Sequence, residues 1–470
     1  MTATNKTLSP RERRQRDTDA RTALILEGPV GRGVLLIAIP SVAMMLVNTL
    51  NGFLDRFFVG KLGPEAFAAV TICTSWMWLL LAAAMAVSTG TGALVGRFIG
   101  AGNRPDAEQA TRQSVILAFL IATVVSVGLI IARVPILKLQ GVGSDALPLA
   151  SQYLLILALG QPVQFLNMIL GGAFRGLGDT TRPFYVTLGS VGVHAVGNII
   201  LIPRMGISGG ALALALAQVI ALGLSVHNLK LSPLAGSHKG PWKLDLDWAW
   251  RILRIGLLAA LQQVIRVGSM LVFQGFLARS EAGSAAVAAL GVGLISESIA
   301  FMPGFGYSIA AAAFVGQNLG AGQPLRANAG AWAATWQAIG VMSFMGLIFY
   351  FFAPPFAHFF LHHGADAAQN TRVDETITLA ISYLQIAAIS EPFLALAMGL
   401  IGALQGAGET LSPTLLTAFT MILMRLPLAW FLMKTNGIEG AWWALSLSTI
   451  LQGLLTVIVF RQGRWRQTVV

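Results

Sequence analysis

Ala93-Leu-Val-Gly-Arg-Phe-Ile-Gly-Ala-Gly102 returns 220 residues later as Ala313-Phe-Val-Gly-Gln-Asn-Leu-Gly-Ala-Gly322, with six of ten positions identical. Two further blocks follow in the same order. Gly171-Gly-Ala-Phe-Arg-Gly-Leu-Gly-Asp-Thr180 matches Ile401-Gly-Ala-Leu-Gln-Gly-Ala-Gly-Glu-Thr410 at five of ten positions, and Pro183 pairs with Pro413. Gly206-Ile-Ser-Gly209 matches Gly437-Ile-Glu-Gly440. The offset grows from 220 to 230 between the first two blocks, so the second copy carries about ten extra residues, most naturally in the loop from Pro354 to Thr376. The chain is a duplicated unit, and the segments between the blocks say what that unit is.

Those segments are long apolar runs such as Ala118–Ile131, Ala211–Val226 and Ala338–Phe352. Across 470 residues, 55% are hydrophobic and 11% charged, against roughly 25% charged in an ordinary soluble domain. A water-soluble globule is excluded for want of polar covering. Collagen is excluded because the 51 glycines follow no triplet period, and disorder because apolar residues dominate. A membrane barrel alternates apolar and polar residues in segments of about ten, and these runs do not alternate. The expectation is an all-α membrane protein with twelve transmembrane helices. The spans read as 33–57, 67–92, 110–132, 148–172, 182–203, 207–230, 250–276, 284–312, 329–353, 378–404, 412–434 and 438–460. Pro40, Pro162 and Pro303 fall inside them, where packed neighbours tolerate a kink.

Each copy holds six spans, an even number, so both enter the membrane from the same side. Two pseudo-symmetric six-helix bundles follow, related by an axis along the membrane normal and suited to rocking about a site between them. The expected divisions are a tail at 1–32, an N-lobe at 33–230, a linker at 231–249, a C-lobe at 250–460 and a second tail at 461–470. The first 32 residues are polar with no apolar leader, so the first span is expected to serve as its own insertion signal. Alternate loops differ in basic residues: one side carries twenty or twenty-one of the 31, the other eight, and Arg266 and Arg425 lie within spans. The positive-inside rule then puts both termini in the cytoplasm. The net charge of +11 is spread over many short loops rather than one face. Topology and lipid headgroups account for it, and a nucleic-acid partner is not expected. The single cysteine, Cys73, sits in an apolar run and offers no disulfide.

The repeated blocks, with Leu62-Gly63-Pro64-Glu65-Ala66-Phe67-Ala68-Ala69 after the first external loop, resemble the multidrug and toxic compound extrusion (MATE) family, nearer its DNA-damage-inducible branch. The resemblance covers roughly residues 30–460. It implies a cation-coupled exporter of amphipathic organic cations in a bacterial inner membrane, expected to act as a monomer, with no cofactor. A nucleotide-binding Gly-x4-Gly-Lys-Ser/Thr string does not occur, which favours coupling to an ion, H+ ahead of Na+. A convergent catalytic set is also missing, so an enzyme is not expected. The rival reading is a lipid-linked flippase or small-metabolite exporter on the related scaffold.

Ionisable residues inside spans are costly and mark function first. Asp55 lies late in the first span, where the resemblance places an ion-coupling aspartate. A carboxylate in a half-dry pocket can take a proton from one side and release it on the other. A structural pair with Arg56 is the alternative. In the fifth span the branch is expected to carry Asn-x3-Asp; Asn198 matches, but the acidic position is Ile202. His194, one turn before Asn198, has an intrinsic pKa suited to proton exchange, although a lone membrane histidine is more often a packing residue. Glu297 and Glu391 are the second-lobe acids, with Arg266 and Arg425 as possible partners. His358, His362 and His363 form a loop cluster without a fixed third ligand, so no metal is expected. Met44, Met45, Met77, Met85, Phe301, Met302, Met421 and Met424 are placed in spans facing between the bundles, where flexible side chains suit varied ligands.

Overall fold

The computed structural model describes residues 19–62, 64–140, 142–143, 147–360 and 367–468. A short helix α1 (19–26) precedes the N-lobe. The lobe comprises α2 (Val30–Gly60), α3 (Pro64–Gly100), α4 (Arg104–Leu139), α5 (Leu147–Gly176), α6 (Thr181–Met205) and α7 (Ile207–Lys230). The C-lobe follows as α8 (Leu246–Ala278), α9 (Gly283–Gly320), α10 (Pro324–Phe351), a short α11 (Ala353–Phe360), α12 (Ala367–Gly406), α13 (Leu411–Ala418) and α14 (Arg425–Arg461). Among the described residues, eleven helical segments are long and apolar enough to cross a membrane. The last of them, Leu411–Arg461, is two spans joined through a break at Gly437, which completes the expected twelve. In a lipid interior the helix is the solution that satisfies every backbone group within one segment. Serines and threonines in the spans give their hydroxyls to the carbonyl one turn back, as in Ser41 to Ile37 and Thr335 to Ala331.

The helices outrun the expected spans at most ends: α3 continues from 92 to Gly100 and α9 from 312 to Gly320. These added turns contain the first repeated block. At the offset of 220, α11 falls opposite the last turns of α4, with Pro355 on Pro135; the extra residues of the second copy lie at the start of α12, whose 40 residues exceed the 30 of α5 while their ends, Gly406 and Gly176, correspond. The third block makes the tight far-side turns. Gly206 (φ 59°, ψ −139°) and Gly437 (φ 60°, ψ −145°) adopt the same conformation, which other residues resist.

The lobes meet as the duplication requires. If α2 corresponds to α8 and α3 to α9, the contacts of α2 with α9 and of α3 with α8 are mates about one two-fold axis. At the end bearing both chain termini, a Cβ on Gly100 would meet the carbonyl of Gln317, and one on Gly320 the carbonyl of Arg97. Since 97 and 317, like 100 and 320, are repeat-equivalent, the contact is self-complementary in the manner of a symmetric dimer. Apolar packing follows the same division. Near this tail side, one cluster joins Ile25, Val34 and Ile37 to Tyr307 and Phe314, and another joins Val87 and Leu94 to Trp248 and Ile252. Near the far side the clusters divide: Val59, Leu137 and Tyr153 pack within the N-lobe, and Phe273, Leu290 and Tyr383 within the C-lobe.

Both tails and the linker are tied to the tail side. Ile25 of α1 is fully buried, and its carbonyl accepts from Asn318 (3.4 Å) and from Arg326 Nε (3.1 Å). Arg21 of the same helix reaches Asp179 and Thr181 in the N-lobe. At the other terminus, Trp465 stacks on Phe460 at 4.7 Å, and Arg97 donates to the carbonyl of Thr468 at 2.6 Å. The linker is pinned to α4: Gly236 N–H donates to Glu108, and Arg112 donates to the carbonyl of Lys239. Several basic residues counted for topology therefore also bond to backbone carbonyls.

Gly100→Ala and Gly320→Ala are each expected to destabilise the protein by about 1–3 kcal/mol through overpacking, read as a lower thermal unfolding midpoint in detergent. Gly128→Ala, whose Cβ meets nothing within 4 Å, is expected to leave the midpoint unchanged or raise it slightly.

Candidate functional site

Helix α6 turns one narrow stripe inward, and its buried residues are Pro183, His194, Asn198 and Ile202. The last three recur every four residues, so one helix face delivers them together. Opposite stands α2 with Asn51 and Asp55, also four residues apart. His194 Nδ1 lies 2.9 Å from Asn51 Oδ1, which assigns the ring hydrogen to Nδ1. Nε2 then points its lone pair at Asp55, with Oδ1 at 3.7 Å, and has no hydrogen-bond partner. A proton added at this point would be held between imidazole and carboxylate. The His194 side chain is 3% exposed and that of Asp55 27%, so the pair is sealed on one side and reachable on the other.

Asn198 lies beside Asp55, with its side-chain amide buried and directed toward the carboxylate. Ile202 is the next residue along the stripe, so the site holds one carboxylate where Asn-x3-Asp would give two. Among the described residues, Asp55 forms its short-range ion contact with His194 and none with Arg56. Asn51 and Tyr153 also belong to this site and were not anticipated. Asn51 was legible as the residue one turn before Asp55. Tyr153, on α5, comes within electrostatic reach of Asp55 only through tertiary packing.

In the C-lobe the expected pairing of Glu297 and Glu391 with Arg266 and Arg425 does not form: no ion pair joins them among the described residues. Other partners intervene. The Tyr383 hydroxyl donates to Glu297 at 2.8 Å. Arg425 Nε donates to Ser448 Oγ at 2.8 Å and Nη2 to Thr449 Oγ1 at 3.3 Å. Glu391, 1% exposed, finds no donor for either oxygen. Thr417, Met421, Arg425 and Ala429 are all buried and recur every four residues, a wider step than the 3.6 of an α-helix. The π-helical turn Phe419–Met424 absorbs the difference and keeps Arg425 aimed into the lobe. Beneath it, toward the tail side, Gln262 and Gln452 both donate to Thr417, and Gln405 donates to Gln262.

The apolar candidates separate among these regions. Met44 and Met421 are buried, while Met45, Met85, Met302 and Met424 are half-buried. Met77 packs with the N-lobe far-side cluster and accepts from Gln161, and Phe301 packs against the cluster joining the lobes. His358 lies on α11, whereas His362 and His363 fall outside the described residues. Among the described residues no three His, Cys, Asp or Glu side chains gather as a metal site.

The profile of the family described as MatE matches residues 40–200 and 259–431, most of both lobes. The chain belongs to the MatE family. Its members are transporters and not enzymes. One relative, from Shewanella oneidensis and named FAD transporter, is 27% identical over 92% of this chain and 94% of its own. Another, from Thermotoga maritima and named probable multidrug resistance protein NorM, is 25% identical over 94% of each chain. The fold is that of a MOP-superfamily transporter from Pyrococcus furiosus, whose structure is described as having a reversed-polarity binding pocket (TM-score 0.87, 21% identity, 95% of this chain and 99% of that one). A multidrug resistance MATE transporter solved in an outward-facing conformation superposes with a TM-score of 0.85 at 21% identity, over 95% of this chain and 99% of that one.

Ser448→Ala removes the acceptor of a buried guanidinium. It is expected to destabilise the C-lobe by about 1.5–3 kcal/mol, measured as a fall in the thermal unfolding midpoint.

Proposed function

We propose that this MatE-family transporter is a secondary active exporter of amphipathic organic compounds, cations among them, driven by antiport with protons and working by alternating access. The observation that carries the coupling is the Asp55–His194 contact at 3.7 Å, with Nε2 unpartnered and the carboxylate partly open. Sodium prefers several oxygen ligands, as hard cations do. Here an imidazole occupies one flank and Ile202 replaces the second carboxylate, which favours the proton. Glu391, a buried carboxylate without a donor, is the second-lobe candidate for carrying a proton, with Glu297 and Tyr383 beside it.

Alternating access is supported by the arrangement of the lobes: packed across one another at the tail side, and packed separately at the far side. The basic asymmetry of the loops supports cytoplasmic termini in a bacterial inner membrane, with the far side facing outward. The protomer is proposed to act as a monomer, since both lobes lie within one chain. The relatives' names support two substrate classes, drugs and a flavin nucleotide.

In proteoliposomes, an imposed proton gradient is expected to drive efflux of a fluorescent organic cation. Asp55→Asn is expected to reduce that flux at least tenfold while cation binding persists. Transport that responds to a sodium gradient and ignores the proton gradient would overturn proton coupling.

A further inference from the structure

Arg266 has an unusual position among the polar groups of the C-lobe. It falls on the α8 stripe of Gln262, Ser269, Phe273 and Leu277, all buried against the lobe. Arg266 is nevertheless half-exposed, so the packing opens around its guanidinium. No carboxylate, hydroxyl or carbonyl among the described residues is hydrogen-bonded to that guanidinium. Arg425 comes within electrostatic reach of it, fixed from behind by Ser448 and Thr449, which are neutral acceptors. At the helical rise, Arg266, Glu297 and Arg425 all stand about 18–21 Å from the far ends of their helices, at Ala278, Gly283 and Gly437. They share one layer, well inside the membrane.

Two guanidinium groups at that depth, neither in contact with a carboxylate, are costly unless an anion joins them. Glu297 comes within electrostatic reach of Arg425 and is hydrogen-bonded to Tyr383, and Glu391 is buried without a donor, so among the described residues no acid is in contact with Arg266. A planar guanidinium with free N–H groups matches the two oxygens of a carboxylate or phosphate. We infer that Arg266, backed by Arg425, is a subsite for an anionic oxygen group on the transported compound. Half-exposed Glu297 in the same layer suits a positive group on the same molecule. This inference rests on the exporter reading and names the chemistry of its substrates: aromatic amphiphiles bearing a carboxylate or phosphate, zwitterions included.

The test compares minimal pairs in proteoliposomes under a proton gradient. Rhodamine B carries a free carboxylate that its ethyl ester lacks, and riboflavin 5′-phosphate carries a phosphate that riboflavin lacks. Wild type is expected to move at least one acidic member faster than its neutral-headed partner, and which pair responds identifies carboxylate or phosphate. Arg266→Gln is expected to cut efflux of that acidic probe at least tenfold while the ester changes by less than twofold. Arg266→Lys is expected to restore part of the loss, because the charge returns without the fork. Equal loss of acid and ester in Arg266→Gln would mean a structural role and overturn the inference. Wild type that moves the ester and neither acid overturns it also, and leaves the exporter reading standing. Wild type that moves none of the four overturns both.

Discussion

The close crossing of α3 and α9 governs the rest of the architecture. At Gly100 and Gly320 the two backbones approach so closely that an added methyl group would overlap a carbonyl of the opposite lobe, and Gly96 and Gly316 face each other one turn away. Without water to drive helices together, association in a membrane depends on this kind of backbone approach and the dispersion it permits. Because the crossing lies on the pseudo-two-fold axis, one pair of equivalent sequences makes both halves of the contact. Polar side chains around it then close the tail side. Arg97 reaches Ala407 and Thr468, Gln317 reaches Gly176, and Arg326 holds the carbonyls of α1. On the far side the apolar packing is confined to each lobe.

Polar groups within the lobes divide into those that are satisfied and those that are not. The ladder of Gln262, Gln405, Thr417 and Gln452 is closed on itself and rigidifies the C-lobe. By contrast His194 Nε2 and both Glu391 oxygens lack hydrogen-bond partners among the described residues. A buried polar atom without a partner costs about 1–3 kcal/mol, and such atoms also occur at the tail-side contact, in Arg97, Gln317 and Asn318. The two lobes share a fold and differ in this inventory. The N-lobe pairs one carboxylate with an imidazole; the C-lobe sets two acids, a tyrosine and two arginines in neighbouring layers. A duplicated scaffold has thus acquired two chemically different interiors.

The twelve spans, the six-and-six division and the glycine turns were legible because lipid leaves the backbone few choices and because duplication prints its register into the sequence. Gly206 and Gly437 were matched as text and adopt the same backbone conformation. Asp55 stood out by the cost of a carboxylate in a span and by the family resemblance, Asn198 by the resemblance, and His194 by its place one turn before Asn198. The arginine–glutamate pairs were not, since composition cannot tell whether Arg425 will meet Glu297 or the hydroxyls of Ser448 and Thr449. That choice depends on the π turn, which rotates Arg425 by a fraction of a helical step. Nor could the tails be read: a basic N-terminal segment suggests a solvated face, yet Ile25 is fully buried between the lobes. By itself the sequence determined the membrane class, the number of spans and which residues pay a desolvation cost, because those follow from local composition and period. Only the tertiary structure decided which of those residues meet, which stay unpaired and where the lobes close, because those depend on distances between helices far apart in the chain.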